Sequence, residues 1–200
     1  MEHKSLRSGQ EKQMRQTSSL RLYDYWNELR GSAPAPDRTR LDPYAISNIL
    51  TDTFILEIDP WKSLPFRLVG SRTNSLFARE LKGYPFTHLF SLAHRPDIKS
   101  AIEWISEEAV PLVAGVTGQA VNDRQIRLEL LLLPLEHEQK LDQRILGSLS
   151  LIEKPEWIGL IAVNHLEISS LRILNHSQLA ERPFCPIINM RSSTSTKLVS

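Results

Sequence analysis

The residue types that carry out catalysis are present in this sequence, but their spacing matches no catalytic or metal-binding motif. His137-Glu138 begins like the zinc motif His-Glu-x-x-His, yet Gln139, Lys140 and Leu141 follow. Because a second histidine one turn later is needed to bind zinc from the same helix face, we expect this pair to be solvated. The sequence also contains no nucleophile elbow, Walker loop or dinucleotide-binding glycine fingerprint. These observations predict a protein that is not an enzyme and binds no metal.

The only cysteine, Cys185, indicates the redox environment rather than an active site. One thiol forms neither an internal disulfide nor a zinc cluster, and Pro183 and Pro186 favour an irregular, exposed segment. The 24 basic and 23 acidic residues nearly cancel, which gives no reason to expect nucleic acid or a membrane surface as a partner. The longest apolar run, residues 128–135, is far shorter than the ~18–20 residues of a membrane span. We therefore expect a soluble, cytoplasmic protein.

A helix near the N-terminus is the first element that the hydrophobic pattern predicts. Leu22, Trp26 and Leu29 recur at helical spacing after a serine cap, at Ser18 or Ser19. A glycine directly after the apolar stripe is placed to end the helix. Further along, an Asp-Pro pair predicts the start of a second, short helix.

Five stretches have the alternating pattern of strands, and a longer stretch between the second and the third has a helical apolar stripe. The predicted strands are Thr53–Ile58, Phe66–Val69, Leu112–Ala120, Gln125–Leu133 and Arg144–Ile152, and the predicted helix is Pro96–Ala109. Asn122-Asp123 predicts a tight turn between the third and fourth strands. Two strands, a helical middle and three strands indicate an α+β fold, with an antiparallel sheet and helices on one face.

The domain organisation follows from composition as well as periodicity. We expect a disordered lead-in (1–17), an N-terminal helical extension (18–50), a central domain (51–153), a C-terminal extension packed on that domain (154–180) and a mobile tail (181–200). Within the C-terminal extension, residues 157–178 are apolar with mixed periodicity. That pattern does not separate a strand from a helix.

Six short motifs occur in an order that a known family shares. They are Tyr25-Trp26-x-x-Leu29-Arg30-Gly31, Pro36-Asp37-Arg38-x-x-Leu41-Asp42-Pro43, Phe66-Arg67-Leu68-Val69-Gly70-Ser71, Leu76-Phe77-Ala78-Arg79-Glu80-Leu81-x-Gly83, Leu131-Leu132-Leu133-Pro134-Leu135 and Arg144-Ile145-Leu146-Gly147-Ser148-Leu149. Together they resemble a family of short, often stand-alone bacterial PAS proteins of the PAS_5 type, once catalogued only as a domain of unknown function. The resemblance implies a five-stranded antiparallel PAS sheet around a small apolar interior, which serves sensing, dimerisation or partner binding without catalytic residues.

The concave side of such a sheet has two interpretations. The side chains expected to line it are large and apolar: Phe54, Leu56, Phe66, Leu68, Phe77, Trp104, Ile105, Leu130, Leu132 and Leu149. They form either a pocket for a small apolar ligand or a filled hydrophobic core. The sequence leaves both open.

The cofactors that some PAS domains carry need particular residues. A photoreactive flavin requires a cysteine on a helix in the middle of the domain, and Cys185 lies in the tail instead. A haem requires an axial ligand that faces the cavity, for which His88 and His94 are the only candidates in the middle of the domain. His94 lies just before the long helix, where a surface position is expected. We therefore predict no cofactor.

The other side of the sheet is expected to be covered. The outward residues of the fourth strand become apolar at Leu131 and Leu133, although an exposed strand face should remain polar. The N-terminal helix carries a matching stripe of Tyr23, Trp26 and Leu29. We expect this helix to pack across the sheet and to contribute to a homodimer, with intramolecular cover alone as the alternative.

These observations predict a non-catalytic PAS-type regulatory or signalling module that acts by protein–protein interaction. The expected partners are a second copy of the chain and an unidentified regulatory protein. The first alternative is a sensor that binds a small apolar ligand inside the sheet. The second alternative, an enzyme that acts on small molecules, would need a polar cluster that the apolar inward positions do not supply.

Overall fold

The computed structural model describes residues 14–59, 63–136 and 143–174. The α-helices are α1 (Thr17–Arg30), α2 (Ser71–Leu76) and α3 (Arg95–Glu108), and short 3₁₀ helices span Arg38–Arg40, Pro43–Ile46, Leu50–Asp52 and Phe86–Leu89. The strands are β1 (Thr53–Glu57), β2 (Phe66–Val69), β3 (Leu112–Ala120), β4 (Gln125–Leu135), β5 (Arg144–Leu151) and β6 (Val163–Ile173). The predicted strands, the N-terminal helix and the long helix are confirmed, with ends displaced by two residues at most.

The strands form one antiparallel sheet in the order β2-β1-β5-β4-β3-β6. The α+β fold class is confirmed, but the sheet has six strands rather than the predicted five. The additional strand, β6, pairs along the whole of β3. Irregularities at Gly115/Val116 and Gln119/Ala120 shift the register of this pair. Because each shift interrupts the two-residue alternation, a bulged edge strand explains the mixed periodicity of residues 163–173, the part of 157–178 that forms β6.

The two faces of the sheet carry separate hydrophobic clusters. On the inner face, α2, α3 and the 3₁₀ helix Phe86–Leu89 pack against the strands, and we call this set of buried residues the inner cluster. On the outer face, α1 and the residues that follow it pack against β4 and β5, and we call this set the outer cluster. The helical extension therefore gives the sheet a second buried face.

The start of α1 differs from the prediction. The cap position is Gln16, whose side chain makes no capping hydrogen bond, and Ser18 and Ser19 lie inside the helix. Met14 is only 2% exposed and belongs to the outer cluster, so the end of the predicted lead-in packs on the sheet. Most of the lead-in (1–13), the whole tail (181–200), His137 and Cys185 lie outside the described residues.

Three predicted turn and cap features are confirmed. Asn122 and Asp123 connect β3 and β4 with φ of 58° and 55°, the left-handed conformation that tight hairpin turns need. Gly31 ends α1 with φ of 57°, and Asp42 caps the 3₁₀ helix that begins at Pro43.

Candidate functional site

The interior of the sheet is filled by aromatic rings. The Phe54 and Phe66 centroids are 5.4 Å apart, and Phe86 lies 5.6 Å from each of them and 5.4 Å from Phe90. None of these four side chains is more than 2% exposed. Most pairs meet edge to face, the arrangement that the charge distribution of aromatic rings favours.

Most residues predicted to line the interior lie in this filled core. Those in the inner cluster are Phe54, Leu56, Phe66, Phe77, Ile105, Leu130, Leu132 and Leu149. Trp104 is half-buried at its margin. These side chains therefore pack against one another as the filled-core alternative predicts, and they do not surround a pocket.

Leu68 is the exception, and its predicted inward position is wrong. The side chain is 57% exposed and lies on the outer face. Leu68 pairs with Ile55, whereas Phe66 pairs with the next residue, Leu56. Two residues of β2 therefore oppose one step of β1, so Arg67 is the extra residue of a bulge and the alternation reverses after Phe66. No sequence signal marked this bulge.

The two candidate haem ligands do not point into a cavity. His88 is exposed and lies edge to face with Tyr84, at a centroid separation of 6.0 Å. His94 occupies the cap position of α3, with its Nδ1 atom 2.9 Å from the hydroxyl of Ser91. Within the described ranges, no group of three His, Cys, Asp or Glu side chains is placed to hold a metal ion. No helix in the described part of the chain is long and apolar enough to span a membrane.

On the outer face, α1 covers the apolar end of β4. Tyr23, Trp26, Leu131 and Leu133 all belong to the outer cluster and are at most 3% exposed. Leu29, which was predicted to join them, is half-buried and lies outside that cluster. Within one chain these apolar side chains therefore cover one another, without a second copy.

Trp26 is the centre of this contact. Its indole N–H donates a 2.7 Å hydrogen bond to the carbonyl oxygen of Pro134. The Tyr23 ring lies 6.2 Å from the Trp26 ring, and the Arg30 guanidinium lies 5.5 Å above it. Burial lowers the pKa of Arg30 from its ordinary value, against the opposing effect of Tyr23. The outer cluster is therefore anchored by a fully buried aromatic side chain with a satisfied polar group.

Two buried carboxylates hold the start of α1, one from the sheet and one from the 3₁₀ helix that precedes β1. Glu129, in the middle of β4 and only 3% exposed, accepts hydrogen bonds from the backbone N–H of Arg15 (2.6 Å) and Gln16 (3.0 Å). Asp52, 4% exposed, accepts from the hydroxyl of Ser18 at 2.8 Å and pairs with an arginine of α2 at 2.6 Å. The sequence showed a glutamate at the edge of the apolar face but not its partners, which lie 113 and 114 residues away.

We expect Glu129→Gln to lower the free energy of unfolding by about 1.5–3 kcal/mol, because hydrogen bonds to a buried charged group contribute about that much. The carboxamide nitrogen cannot accept a hydrogen bond, so one of the two backbone N–H groups loses its partner. Urea unfolding measures the loss, and hydrogen exchange should accelerate at Arg15 and Gln16. Glu156→Gln, at an exposed carboxylate, is the matched control. Equal stability of the two variants would contradict an anchoring role for Glu129.

Next to α1, the outer face carries an open apolar groove of about 420 Å³, which we call the outer groove. One wall comes from the helical extension and the other from β1, β2 and β5. Its lining is Tyr25, Leu41, Asp42, Pro43, Ile46, Leu50, Thr51, Thr53, Phe54, Ile55, Leu68, Val69, Gly70, Ser71 and Leu146. Leu68 lines this groove because the bulge at Arg67 turns it outward. The same bulge therefore removes Leu68 from the interior and adds it to the outer surface.

Comparisons with known proteins bear on this arrangement. The PAS_5 family, described as a PAS domain, matches residues 14–150. No curated protein matches the chain significantly by sequence. Among solved structures, the chain is similar to the LOV protein of Rhodobacter sphaeroides (TM-score 0.42, 14% identity), covering 52% of this chain and 61% of that one. It is also similar to a cysteine-to-serine mutant of Vivid (TM-score 0.41, 11% identity), covering 64% of this chain and 97% of that one.

Proposed function

The chain belongs to the PAS_5 family of PAS domains, and from that premise we propose that it is a non-catalytic regulatory module that acts by protein–protein contact in the cytoplasm. PAS domains are sensory or signalling modules. The proposal concerns how this one transmits its signal: through surfaces that meet other proteins rather than through a ligand held inside the sheet.

The observation that carries the proposal is the filled interior. The inner cluster includes the side chains of Leu56, Phe66, Phe86 and Leu130, each of which is at most 2% exposed. A ligand in this place would have to displace side chains that already bury their apolar surface, and close-packed interiors resist such insertion. This packing disfavours the alternative of a small-ligand sensor.

The surface supports protein contact. Tyr44 is 88% exposed on the 3₁₀ helix that forms one wall of the outer groove, and Leu68 is 57% exposed on the opposite wall. Exposed apolar side chains on the walls of an apolar groove are typical of interaction sites. The proposed partners are a second copy of the chain and a separate regulatory protein. Because Tyr23 and Trp26 are already buried within one chain, the proposed homodimer uses surface outside the outer cluster.

Native mass spectrometry of the purified chain tests this function. We expect a homodimer, at twice the 22.9 kDa mass of the polypeptide, with no small molecule retained. The same sample sprayed under denaturing conditions is the control for covalent modification. An added mass that is present in the native spectrum and absent after unfolding would identify a bound ligand and favour the sensor alternative. A mass of one polypeptide alone would contradict the homodimer.

A further inference from the structure

We propose that residues 183–190 of the same chain dock into the outer groove, where they compete with any protein partner for that surface. The segment contains Phe184, Ile187, Ile188 and Met190, so it is among the most apolar stretches after the last strand. This contact goes beyond the proposed function and does not depend on it, because it lies within one polypeptide.

The groove has the character of a site for an extended apolar segment. Leu50 is 36% exposed and Leu68 is 57% exposed, although both line a concave surface of the molecule. Because the groove is open to solvent, these side chains remain in contact with water. Covering such side chains with apolar groups is favourable by the ordinary hydrophobic effect.

The chain leaves the described structure on the side of the sheet where the groove lies. Leu174, the last described residue, is 1% exposed, and its side chain belongs to the outer cluster. Its backbone N–H donates to the carbonyl oxygen of Pro111 at 2.9 Å, which holds it beside the start of β3. The next residues therefore begin on the outer face.

The sheet register places this exit in line with the groove. Ile173 pairs with Leu112, Leu112 with Leu132, Leu132 with Gly147, and Gly147 with Phe54, which lines the groove. This row crosses four strand-to-strand spacings of about 4.8 Å, which gives about 19 Å. Both ends of the required path therefore lie on one row of the sheet.

The length of the chain is sufficient for the docking. Phe184 lies ten residues after Leu174 in the sequence, and an extended chain of ten residue steps reaches about 33 Å. The difference from the 19 Å row leaves about 14 Å for a detour around α1. Pro183 and Pro186 restrict the backbone before docking, so the segment loses less conformational entropy when it binds.

The only cysteine of the chain lies inside the proposed segment, which permits a direct test. A nitroxide attached to Cys185 broadens the NMR signals of nearby methyl groups. We expect strong loss of methyl intensity at Leu50, Ile55 and Leu68, relative to the sample with the nitroxide reduced. We expect none at Leu160, an exposed residue between β5 and β6 that does not line the groove. Equal intensities at all four residues would overturn the proposal.

Two further samples keep the result unambiguous. Ile187→Asp combined with Ile188→Asp removes the two apolar anchors and changes no residue of the described structure, and it should abolish the broadening. Persistent broadening in that variant would overturn apolar docking. A mixture of isotope-labelled Cys185→Ser chains with unlabelled, nitroxide-bearing chains reports contact between two copies, which the proposed homodimer permits. We expect weaker broadening at Leu50, Ile55 and Leu68 in the mixture than within one chain. Broadening in the mixture as strong as within one chain would mean that the segment docks on a second copy, which overturns docking within one chain.

A second label position distinguishes docking of the segment from binding of the nitroxide itself to the groove. Ser192→Cys in the Cys185→Ser background carries the nitroxide beyond the apolar residues. We expect the same three methyl groups to broaden, more weakly. Loss of the effect at this position, together with broadening from Cys185, would show that the label itself binds the groove and would overturn the proposal.

Discussion

Trp26→Ala is expected to lower the free energy of unfolding by about 3–5 kcal/mol, the usual cost of truncating a fully buried tryptophan. The side chain is 0% exposed and occupies the centre of the outer cluster. Its loss leaves a cavity between α1 and the sheet and removes the 2.7 Å hydrogen bond to the carbonyl oxygen of Pro134. Urea unfolding followed by circular dichroism measures the change.

Two variants separate the causes of that loss. Trp26→Phe keeps most of the apolar volume but not the indole N–H, so it should retain part of the stability that Trp26→Ala loses. Tyr44→Ala, at an aromatic side chain that is 88% exposed, should change stability by less than about 0.5 kcal/mol. If Trp26→Ala costs no more than Tyr44→Ala, then α1 does not cover the sheet in solution.

Gly147→Ala is expected to cost about 1–3 kcal/mol or more, as overpacking in a filled core does. A Cβ at this position would lie 2.4 Å from two ring carbons of Phe54 and 3.0 Å from the backbone oxygen of Leu131. The Phe54 ring cannot move aside, because Phe66 and Phe86 pack against it at 5.4 and 5.6 Å. Thermal or urea unfolding reports the loss.

A double-mutant cycle attributes this cost to the ring. In a Phe54→Leu background, the substitution at Gly147 should cost clearly less, because the two ring carbons are gone. Gly115→Ala is a matched strand glycine whose single close Cβ contact would be the hydroxyl of Ser170, at 2.9 Å. That side chain can rotate away, at the cost of the 3.2 Å hydrogen bond that it accepts from the N–H of Gly115. The same loss in both backgrounds would mean that Phe54 does not enforce the glycine.

Much of the fold was predictable because it depends on local patterns. Alternation over β3 and the helical stripe of α3 each arise from one element meeting one buried face, so neighbouring residues carry the signal. The β3–β4 turn was predictable for the same reason, since Asn122 and Asp123 adopt the left-handed conformation more readily than most residues. The need to cover Leu131 and Leu133 also followed from one strand.

The candidate site was less predictable than the fold. The ten residues expected to line the interior are all apolar. A ligand pocket and a filled core both need apolar residues there, so composition does not distinguish the two. That outcome depends on how the rings of Phe54, Phe66 and Phe86 pack together from three separate elements. The outer groove likewise combines a 3₁₀ helix of the extension with the edge strand, which sequence spacing does not bring together.

The residue pattern alone therefore determined the five strands and the helices whose hydrophobic periodicity is regular, together with their α+β order. Tertiary structure decided where that pattern is broken or satisfied at a distance. The bulge at Arg67 turns Leu68 outward. The register shifts between β3 and β6 interrupt the alternating pattern by which β6 would have been recognised as a strand. Glu129 accepts hydrogen bonds from backbone N–H groups that lie 113 and 114 residues away in the sequence. Each of these features arises when two distant segments meet, and only three-dimensional packing specifies their register and hydrogen-bond partners.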